Sequence, residues 1–194
     1  PVISSAASDV YKRQIYYYSH SQNNVKMRIF LVGMMGSGKS TVGKKLAESL
    51  LVDFHDLDKI IEAKLKKNIK DIFEEDGEGF FRDIENKSLI DFQNKTKFVL
   101  ATGGGIITNE GSRNFLSKER TYFLDGSEEI LYERSTRRRE FRPLMKDMDI
   151  KGFSQLLKKR RQYYIESSIA TIDIDKKNID EVVDWIKNNE KNHF

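Results

Sequence analysis

A glycine-rich run with one lysine and two hydroxyl side chains at its end has the clearest chemical signature in the sequence. Residues 33–41 read Gly-Met-Met-Gly-Ser-Gly-Lys-Ser-Thr and fit the pattern G-x-x-x-x-G-K-S/T. Glycines let the backbone turn tightly, so that its N–H groups reach phosphate oxygens. Lys39 is then placed to neutralise the β- and γ-phosphates, and the Ser40 hydroxyl to bind Mg²⁺. The predicted nucleotide contacts are Gly36, Ser37, Gly38, Lys39, Ser40 and Thr41.

The alternative for this run is a glycine-rich turn with a chance lysine. An apolar strand predicted before it and an amphipathic helix predicted after it favour the phosphate-binding interpretation. Kinases, GTPases and motor ATPases all use such a loop. GTPases are disfavoured because the sequence has no N-K-x-D run, and motors because only 168 residues follow residue 26.

Two aspartates, Asp56 and Asp58, follow the second predicted strand. Residues two apart in an extended segment point the same way, so both carboxylates would face the nucleotide. One carboxylate can hold Mg²⁺ through water while the other accepts a hydrogen bond or a proton from an attacking hydroxyl. The alternative is that Asp58 is the N-cap of the helix that follows. The residues alone do not decide between the two.

Arg82 is predicted to open a helix whose other face is apolar. A guanidinium in that place can grip a planar carboxylate with two parallel hydrogen bonds. Taken alone, however, the residue favours a solvated ion pair with Glu78 or Glu85.

Three consecutive glycines at residues 103–105 follow the third predicted strand. Ligands bind at the carboxyl ends of strands in open α/β sheets, and glycine allows a substrate to approach the backbone closely. The alternative is a plain tight turn, which rarely needs three glycines. The run therefore favours a substrate contact.

Five arginines lie within nine residues, and a nucleic-acid patch is their first alternative explanation. They are Arg134, Arg137, Arg138, Arg139 and Arg142. Glu133 precedes them and Glu140 lies among them, and a polar stretch with Pro143 follows. This setting predicts a mobile lid at about residues 135–150 that brings an arginine to the transferring phosphate.

A second pair of arginines, Arg160 and Arg161, precedes Tyr164 on a predicted helix. Tyr164 continues the apolar face of this helix and is predicted to lie in the core. An adjacent arginine can then reach inward along the same face.

The elements that must position these groups follow from the hydrophobic pattern. Short apolar runs alternate with stretches of helical period, which is typical of an α/β fold with a parallel sheet. The predicted strands are Arg28–Val32, Val52–His55, Phe98–Ala101, Thr121–Leu124 and Ala170–Ile174. Four apolar faces predict the covering helices: Val42, Leu46 and Leu50; Phe81, Ile84 and Ile90; Phe153, Leu157 and Tyr164; and Ile179, Val182, Val183 and Ile186.

The composition limits the domain organisation. The chain has 194 residues, 38% hydrophobic and 33% charged, which predicts one compact domain over residues 27–194. Residues 1–26 show no hydrophobic period and are predicted to be a disordered or artefactual extension. The longest apolar runs have four residues, far below the roughly 18 that a membrane helix needs.

Charge and cysteine content exclude further classes. The sequence contains no cysteine, which excludes disulfides and thiolate metal sites. The net charge is +4, but 31 basic and 29 acidic residues remain beyond residue 26. A nearly neutral domain gives little support for a nucleic-acid partner.

In their order and spacing, the motifs resemble those of the shikimate kinase family from Arg28 to Lys187. The segments that carry the resemblance are residues 33–41, Asp56 and Asp58 followed by Glu62, the G-E-x-x-F-R-x-x-E run at 77–85, the triple glycine, Arg142-Pro143-Leu144, and Arg160 four residues before Tyr164. The family's fold is a five-stranded parallel sheet flanked by helices, a P-loop kinase of the nucleoside-monophosphate-kinase type with a mobile lid.

The resemblance implies an enzyme that phosphorylates the 3-hydroxyl of shikimate with ATP and Mg²⁺. The products would be shikimate 3-phosphate and ADP, on the way to chorismate and the aromatic amino acids. The implied partners are the small molecules shikimate and ATP, with no nucleic acid and no membrane. A cytoplasmic monomer is expected.

Carried over by position, the resemblance assigns catalytic roles to Lys39, Asp58 and Arg142. Asp58 would bind the ring hydroxyls and act as base or orienter, while Asp56 would assist Mg²⁺ beside Ser40. The remaining assignments are Arg82 and Arg160 to the shikimate carboxylate, the backbone of Gly103, Gly104 and Gly105 to the ring, Arg142 to the ATP phosphates, and Lys177 to adenine.

Two positions depart from the family pattern, and neither touches the substrate clamp. Gln162 stands where the family usually has proline, and Met145 replaces a common leucine. The sequence leaves open which of Arg134, Arg137 or Arg138 stacks on adenine.

Two other functions remain as alternatives. A gluconate or nucleotide kinase of the same fold is one, since two arginines also suit the gluconate carboxylate. A kinase-like binding module without catalysis is the other, and it is disfavoured because Lys39, Ser40, Asp58 and Arg142 are all present.

Overall fold

A central sheet of five parallel strands organises the protein, as the sequence predicted. The computed structural model describes residues 26–137, 145 and 148–191. The strands are β1 Met27–Val32, β2 Asp53–Asp56, β3 Lys97–Ala101, β4 Arg120–Asp125 and β5 Ala170–Asp173. Each lies within one residue of its predicted bounds. Their order across the sheet is β2-β3-β1-β4-β5.

The position of β1 explains where a ligand can bind. β1 lies at the centre and pairs in parallel with β3 on one side and β4 on the other. The chain leaves β1 at residue 33, at the carboxyl edge between these two neighbours. In open parallel sheets this switch point opens a crevice for ligands. The glycine-rich run therefore begins in that crevice.

Helices cover both faces of the sheet. They are α1 Lys39–Leu50, α2 Leu57–Leu65, α3 Ile69–Glu75, α4 Gly77–Ile90, α5 Glu110–Leu116, α6 Glu128–Thr136, α7 Ile150–Glu166 and α8 Ile179–Lys191. Two 3-10 turns, Asp91–Asn94 and Ile106–Thr108, flank β3.

The core divides into two layers because side chains of a strand alternate between its faces. In β1, Ile29 and Leu31 pack with α1, α7 and α8, whereas Phe30 and Val32 pack with α2, α4 and α5. These four side chains are fully buried, as expected for a parallel sheet covered on both sides. The burial fixes the direction in which the loops at the carboxyl edge leave the sheet.

Three predicted boundaries are wrong in instructive ways. The helix that holds Arg82 begins at Gly77, five residues earlier. The predicted lid at 135–150 starts too early, because α6 continues to Thr136. Residue 150 already belongs to α7. All three errors arise because glycine-rich or polar helix ends carry no hydrophobic period.

The extension predicted at residues 1–26 lies outside the described residues except for Lys26. Within the described ranges, no helix combines the length and the apolar character needed to cross a bilayer.

Candidate active site

The glycine-rich run forms the loop between β1 and α1. Gly36 has a φ of 88°, and a Cβ at this position would collide with the Leu131 carbonyl, so only glycine fits. Gly38 is the N-cap of α1, and no described side chain caps this helix. The first N–H groups of α1 and the positive end of its dipole are therefore available to an anion.

Lys39 folds back over this loop. Its side chain is buried, and Nζ donates to the carbonyl oxygens of Gly33 at 2.8 Å and Met34 at 3.0 Å. The ammonium charge is thus held beside the N-terminus of α1. This placement agrees with the predicted contact to phosphates.

Ser40 and Asp56, the two residues expected near Mg²⁺, contact each other. The Ser40 hydroxyl donates to Asp56 Oδ2 at 2.6 Å. Asp56 also caps α2, accepting from the Lys59 N–H at 3.4 Å. The capping alternative was therefore assigned to the wrong aspartate, because Asp58 lies in the first turn of α2. The argument from an extended segment was wrong as well, since α2 begins at Leu57 between the two acids.

Asp58 faces the site from the helix. Burial, followed by the like charges of Glu85 and Asp56, raises the pKa of Asp58 to about 7. The cations of Lys39 and Arg82 oppose this shift. A carboxyl with a pKa near neutrality can exchange a proton with a hydroxyl at physiological pH.

Gly103 explains why Asp58 can lie so close to the backbone. A Cβ added at Gly103 would stand 2.7 Å from Asp58 Oδ1 and 2.5 Å from Glu85 Oε1. Either distance is too short for a carbon atom. The first glycine of the triple run is therefore required by two carboxylates.

Arg82 lies on α4 and is bound by two acids. Nη1 donates to Glu85 Oε2 at 2.7 Å, and Nη2 donates to Glu78 Oε1 at 2.9 Å. The predicted ion pairs form, but the guanidinium is largely buried, because only 12% of the Arg82 side chain is exposed. A Cβ at Gly105 would collide with the Arg82 guanidinium. The third glycine thus makes room for the arginine.

Arg160 reaches inward from α7, as the sequence suggested for an arginine next to Tyr164. The residue is 5% exposed, and Nη1 donates to the Gly104 carbonyl at 3.2 Å. Its Nε is buried and has no hydrogen-bond partner among the described residues. Its neighbour Arg161 turns to Asp125 at 2.7 Å. The buried Nε is a donor available to a ligand.

A cavity of about 380 Å³ joins these groups. It lies at the carboxyl edge of the sheet, between the phosphate loop and the two aspartates. The lining residues that the sequence predicted are Gly36, Gly38, Lys39, Ser40, Thr41, Asp56, Asp58, Gly104, Arg134 and Arg137. Arg82, Arg160, Gly103 and Gly105 are not among the lining residues. Gly103 adjoins the lining residue Asp58, and Arg160 donates to the lining residue Gly104. Ser37 is buried under the loop.

Another cavity, of about 430 Å³, opens near the amino ends of β1 and β4. It is lined by residues such as Arg28, Glu119 and Arg120, and none of the predicted site residues is among them. Arg28 is bound by Glu119 at 2.6 Å. Of these two cavities, only the one at the carboxyl edge is lined by predicted site residues.

Comparison with known proteins places the chain in a family. Residues 35–189 match the family model described as shikimate kinase. The chain belongs to the shikimate kinase family. The shikimate kinase of Sulfurihydrogenibium sp. is 42% identical over 159 residues, which cover 81% of this chain and 94% of that protein. This membership makes the chain a small-molecule kinase.

A longer relative shares the domain. The bifunctional shikimate kinase/3-dehydroquinate synthase of Thermotoga maritima is 44% identical over 140 residues, which cover 72% of this chain and 28% of that protein. The likeness therefore concerns a single domain of that enzyme.

Solved structures of shikimate kinases share the fold. The enzyme from Acinetobacter baumannii, determined in complex with shikimate, has a TM-score of 0.82 and 34% identity, and the match covers 90% of this chain and 98% of that chain. The enzyme from Aquifex aeolicus has a TM-score of 0.73 and 33% identity, with coverages of 86% and 98%. The predicted P-loop kinase fold is confirmed.

Two residues predicted to bind ATP are not found among the described residues of this site. Lys177 lies between β5 and α8 and is not among the cavity's lining residues. Arg142, with Arg138 and Arg139, falls outside the described residues. Their assignments stay predictions.

Two residues near the candidate site make contacts that the sequence did not predict. Glu85 was named in the family motif at 77–85 and as a surface partner of Arg82, yet it is fully buried between Arg82 and Gly103. Tyr164 was named for its spacing from Arg160 and as a core residue, and its hydroxyl also donates to the Gly104 carbonyl. For Glu85 a signal existed: it stands three residues after Arg82, on the same helix face.

Proposed function

We propose that this protein transfers the γ-phosphoryl group of ATP to the 3-hydroxyl of shikimate, producing shikimate 3-phosphate and ADP. One observation carries the proposal: the three consecutive glycines contact three functional side chains in turn. Gly103 adjoins Asp58, the Gly104 carbonyl accepts from Arg160, and Gly105 adjoins Arg82. A carboxylate and two guanidiniums therefore adjoin one glycine run, whose middle residue lines the phosphate-loop cavity.

Arg82 and Arg160 would hold the shikimate carboxylate. Both guanidiniums are largely buried, so a carboxylate that reaches them leaves water behind and gains charge-assisted hydrogen bonds. Arg82 is oriented by Glu78 and Glu85. Its direction is fixed before the substrate arrives, which lowers the entropic cost of binding.

Asp58 would orient the 3-hydroxyl and accept its proton. The hydroxyl oxygen forms a bond to the γ-phosphorus as the bond from that phosphorus to the β,γ-bridging oxygen breaks. The hydroxyl proton passes to the carboxylate of Asp58, and the bond electrons leave with ADP. A pKa of about 7 suits this role, because the group is both ionised and basic near neutral pH.

The chemistry of Ser40 and Asp56 fits Mg²⁺. A hydroxyl and a carboxylate are oxygen donors of the kind that this ion takes, and here they are 2.6 Å apart beside the phosphate loop. Bound with ATP, Mg²⁺ would neutralise phosphate charge. Ser40 would bind it directly, and Asp56 would orient its water ligands. Lys39 would neutralise the β- and γ-phosphates from the other side.

Further contacts to ATP are proposed for the segment that follows α6. One of Arg134, Arg137 or Arg138 would stack on the adenine, and the first two line the cavity. Arg142 would reach the transferring phosphates as the lid closes, and Lys177 would contact adenine. Closure would exclude water, which otherwise competes with shikimate as acceptor.

The setting of the reaction is proposed from the family resemblance. The product would serve chorismate and aromatic amino-acid biosynthesis in the cytoplasm. The enzyme would act as a monomer, with no nucleic acid or membrane as partner.

A panel of acceptors in an ADP-release assay tests the proposal. Shikimate, gluconate and nucleoside monophosphates are each supplied with ATP and Mg²⁺, and Lys39→Ala serves as the inactive control. Among the three acceptors, we expect only shikimate to cause ADP release, and we expect phosphorylated shikimate as the product. Turnover of gluconate without turnover of shikimate would refute the proposal.

A further inference from the structure

The Gly104 carbonyl accepts hydrogen bonds from two side chains of α7. Arg160 Nη1 donates to it at 3.2 Å, and the Tyr164 hydroxyl donates to the same oxygen. A carbonyl oxygen has two lone pairs, so both donors can be accommodated. Arg160, which is proposed to bind the substrate, and the buried Tyr164 therefore share one hydrogen-bond acceptor, the Gly104 carbonyl oxygen.

Tyr164 is held rigidly in this position. It is fully buried, and its ring stacks on Phe123 with centroids 4.8 Å apart and an interplanar angle of 22°. Burial raises the pKa of its hydroxyl, so the hydroxyl stays a donor over the working pH range. It also lies 3.9 Å from Met34 Sδ in the phosphate loop.

Gly104 connects the substrate side of the site to the nucleotide side. It lines the cavity, and a Cβ at this position would stand 3.2 Å from the Met35 nitrogen of the phosphate loop. A shift of Gly104 would therefore be felt by Asp58, through Gly103, and by the loop. Fixing its carbonyl fixes the middle of the site.

We propose that Tyr164 is a positioning residue, which keeps the Gly104 carbonyl hydrogen-bonded when Arg160 turns from it to the substrate carboxylate. The inference rests on the proposed function, because it takes Arg160 as part of the clamp. Without the tyrosine hydroxyl, Arg160 is the only described side chain that donates to this carbonyl. The substrate must then compete with the carbonyl for Nη1 of the guanidinium, since an acceptor left unpaired inside the protein is costly.

The matched pair Tyr164→Phe and Tyr122→Phe tests the proposal. Each substitution removes one hydroxyl from a fully buried ring, and the Tyr122 hydroxyl instead donates to Glu190 at 2.6 Å, away from the site. We expect Tyr164→Phe to raise the KM for shikimate about fivefold, the scale of one net hydrogen bond, with kcat and the KM for ATP within about twofold. Tyr122→Phe should leave both KM values unchanged.

Coupling to Arg160 separates positioning from a general loss of packing. Tyr164→Phe combined with Arg160→Lys should raise the KM for shikimate by less than the product of the single effects, because both act through one contact. Multiplicative effects, or an equal rise in both KM values, would overturn the proposal. An unchanged KM for Arg160→Lys would instead refute the clamp itself.

A second variant covers the case in which Tyr164→Phe does not fold. Phe123→Leu keeps the hydroxyl but removes the ring that fixes its direction. We expect the KM for shikimate to rise by a smaller factor than in Tyr164→Phe, with the KM for ATP unchanged. An unchanged KM for shikimate in this variant would also count against the proposal.

Discussion

Two buried carboxylates at opposite ends of the sheet show how differently the molecule treats the same chemistry. Glu85 is 0% exposed and accepts from Arg82 at 2.7 Å; Glu190 is 2% exposed and accepts from Arg120 at 2.8 Å. The second oxygen of Glu190 accepts from the Tyr122 hydroxyl. The second oxygen of Glu85 has no partner among the described residues.

We interpret the Arg120–Glu190 ion pair as structural and the Arg82–Glu85 pair as part of the proposed site. Glu190 joins α8 to β4 with every oxygen satisfied, as stable interiors require. At the other end, Glu85 lies next to Asp58, and burial raises the pKa of both carboxyls. Incomplete pairing and shifted pKa values are typical of sites that await a ligand. The amino end is therefore expected to control stability, and the carboxyl end binding and catalysis.

The largest expected effect is on turnover. Asp58→Asn should lower kcat about 10³-fold, since an amide cannot accept the hydroxyl proton and general base catalysis contributes on that order. The matched change at the other end, Glu190→Gln, should leave kcat unchanged. Steady-state assays at saturating ATP and shikimate measure both. Near-normal turnover of Asp58→Asn would reduce the role of this residue to orientation.

The next largest effect is on substrate affinity. Arg82→Ala should weaken shikimate binding by roughly 2 to 4 kcal/mol, the scale of a lost buried contact between charged groups, while ATP binding is retained. Arg120→Ala, which likewise removes the ion-pair partner of a buried glutamate, Glu190, should leave the affinity for shikimate unchanged. Calorimetric titration of each variant provides the comparison. Unchanged affinity of Arg82→Ala for shikimate would remove it from the clamp.

For stability, in contrast to catalysis, the larger effect is expected at the amino end of the sheet. Glu190→Gln should lower the free energy of unfolding by about 2 kcal/mol, because it breaks a fully satisfied buried pair. Glu85→Gln should cost less, since it also relieves the repulsion with Asp58. Urea denaturation of the ligand-free proteins measures both changes. An equal loss in the two variants would contradict the contrast between the two ends.

The smallest expected effect is a shift in the pH dependence of kcat/KM for shikimate. Asp58 must be ionised to accept a proton, so kcat/KM for shikimate should fall as the pH drops below about 7, the pKa of this group. Glu85→Gln removes a like charge, so the midpoint of this fall should move to lower pH. A pH profile of both proteins tests the shift. A midpoint that stays fixed would exclude Glu85 as a cause.

The same pKa shift has a consequence for stability with the opposite trend. Between about pH 4 and 7 the folded protein keeps a proton on Asp58 that the unfolded chain releases. The contribution of this group to stability therefore decreases as the pH rises through that range. The loss should be absent from Asp58→Asn, whose amide does not titrate.

Much of the fold could be predicted from the sequence because local patterns determine it. Strands such as Phe98–Ala101 are short apolar runs, and the phosphate loop is a contiguous motif between a strand and a helix. The start of α4 was missed because its first turn is polar and rich in glycine, without a hydrophobic period.

The site was only partly predictable, since contacts between distant elements decide it. The burial of Glu85 depends on the close approach of α4 to Gly103, which no local pattern encodes. The sharing of the Gly104 carbonyl by Arg160 and Tyr164 depends on how α7 packs against the glycine run. Spacing identified the arginine, but not its acceptor.

A structure of the protein with shikimate and ADP would decide whether the proposed clamp holds the substrate. We expect the shikimate carboxylate within hydrogen-bond distance of both Arg82 and Arg160, and the 3-hydroxyl beside Asp58, facing the phosphate loop. A shikimate whose carboxylate contacts neither guanidinium, or whose 3-hydroxyl points away from Asp58, would contradict it.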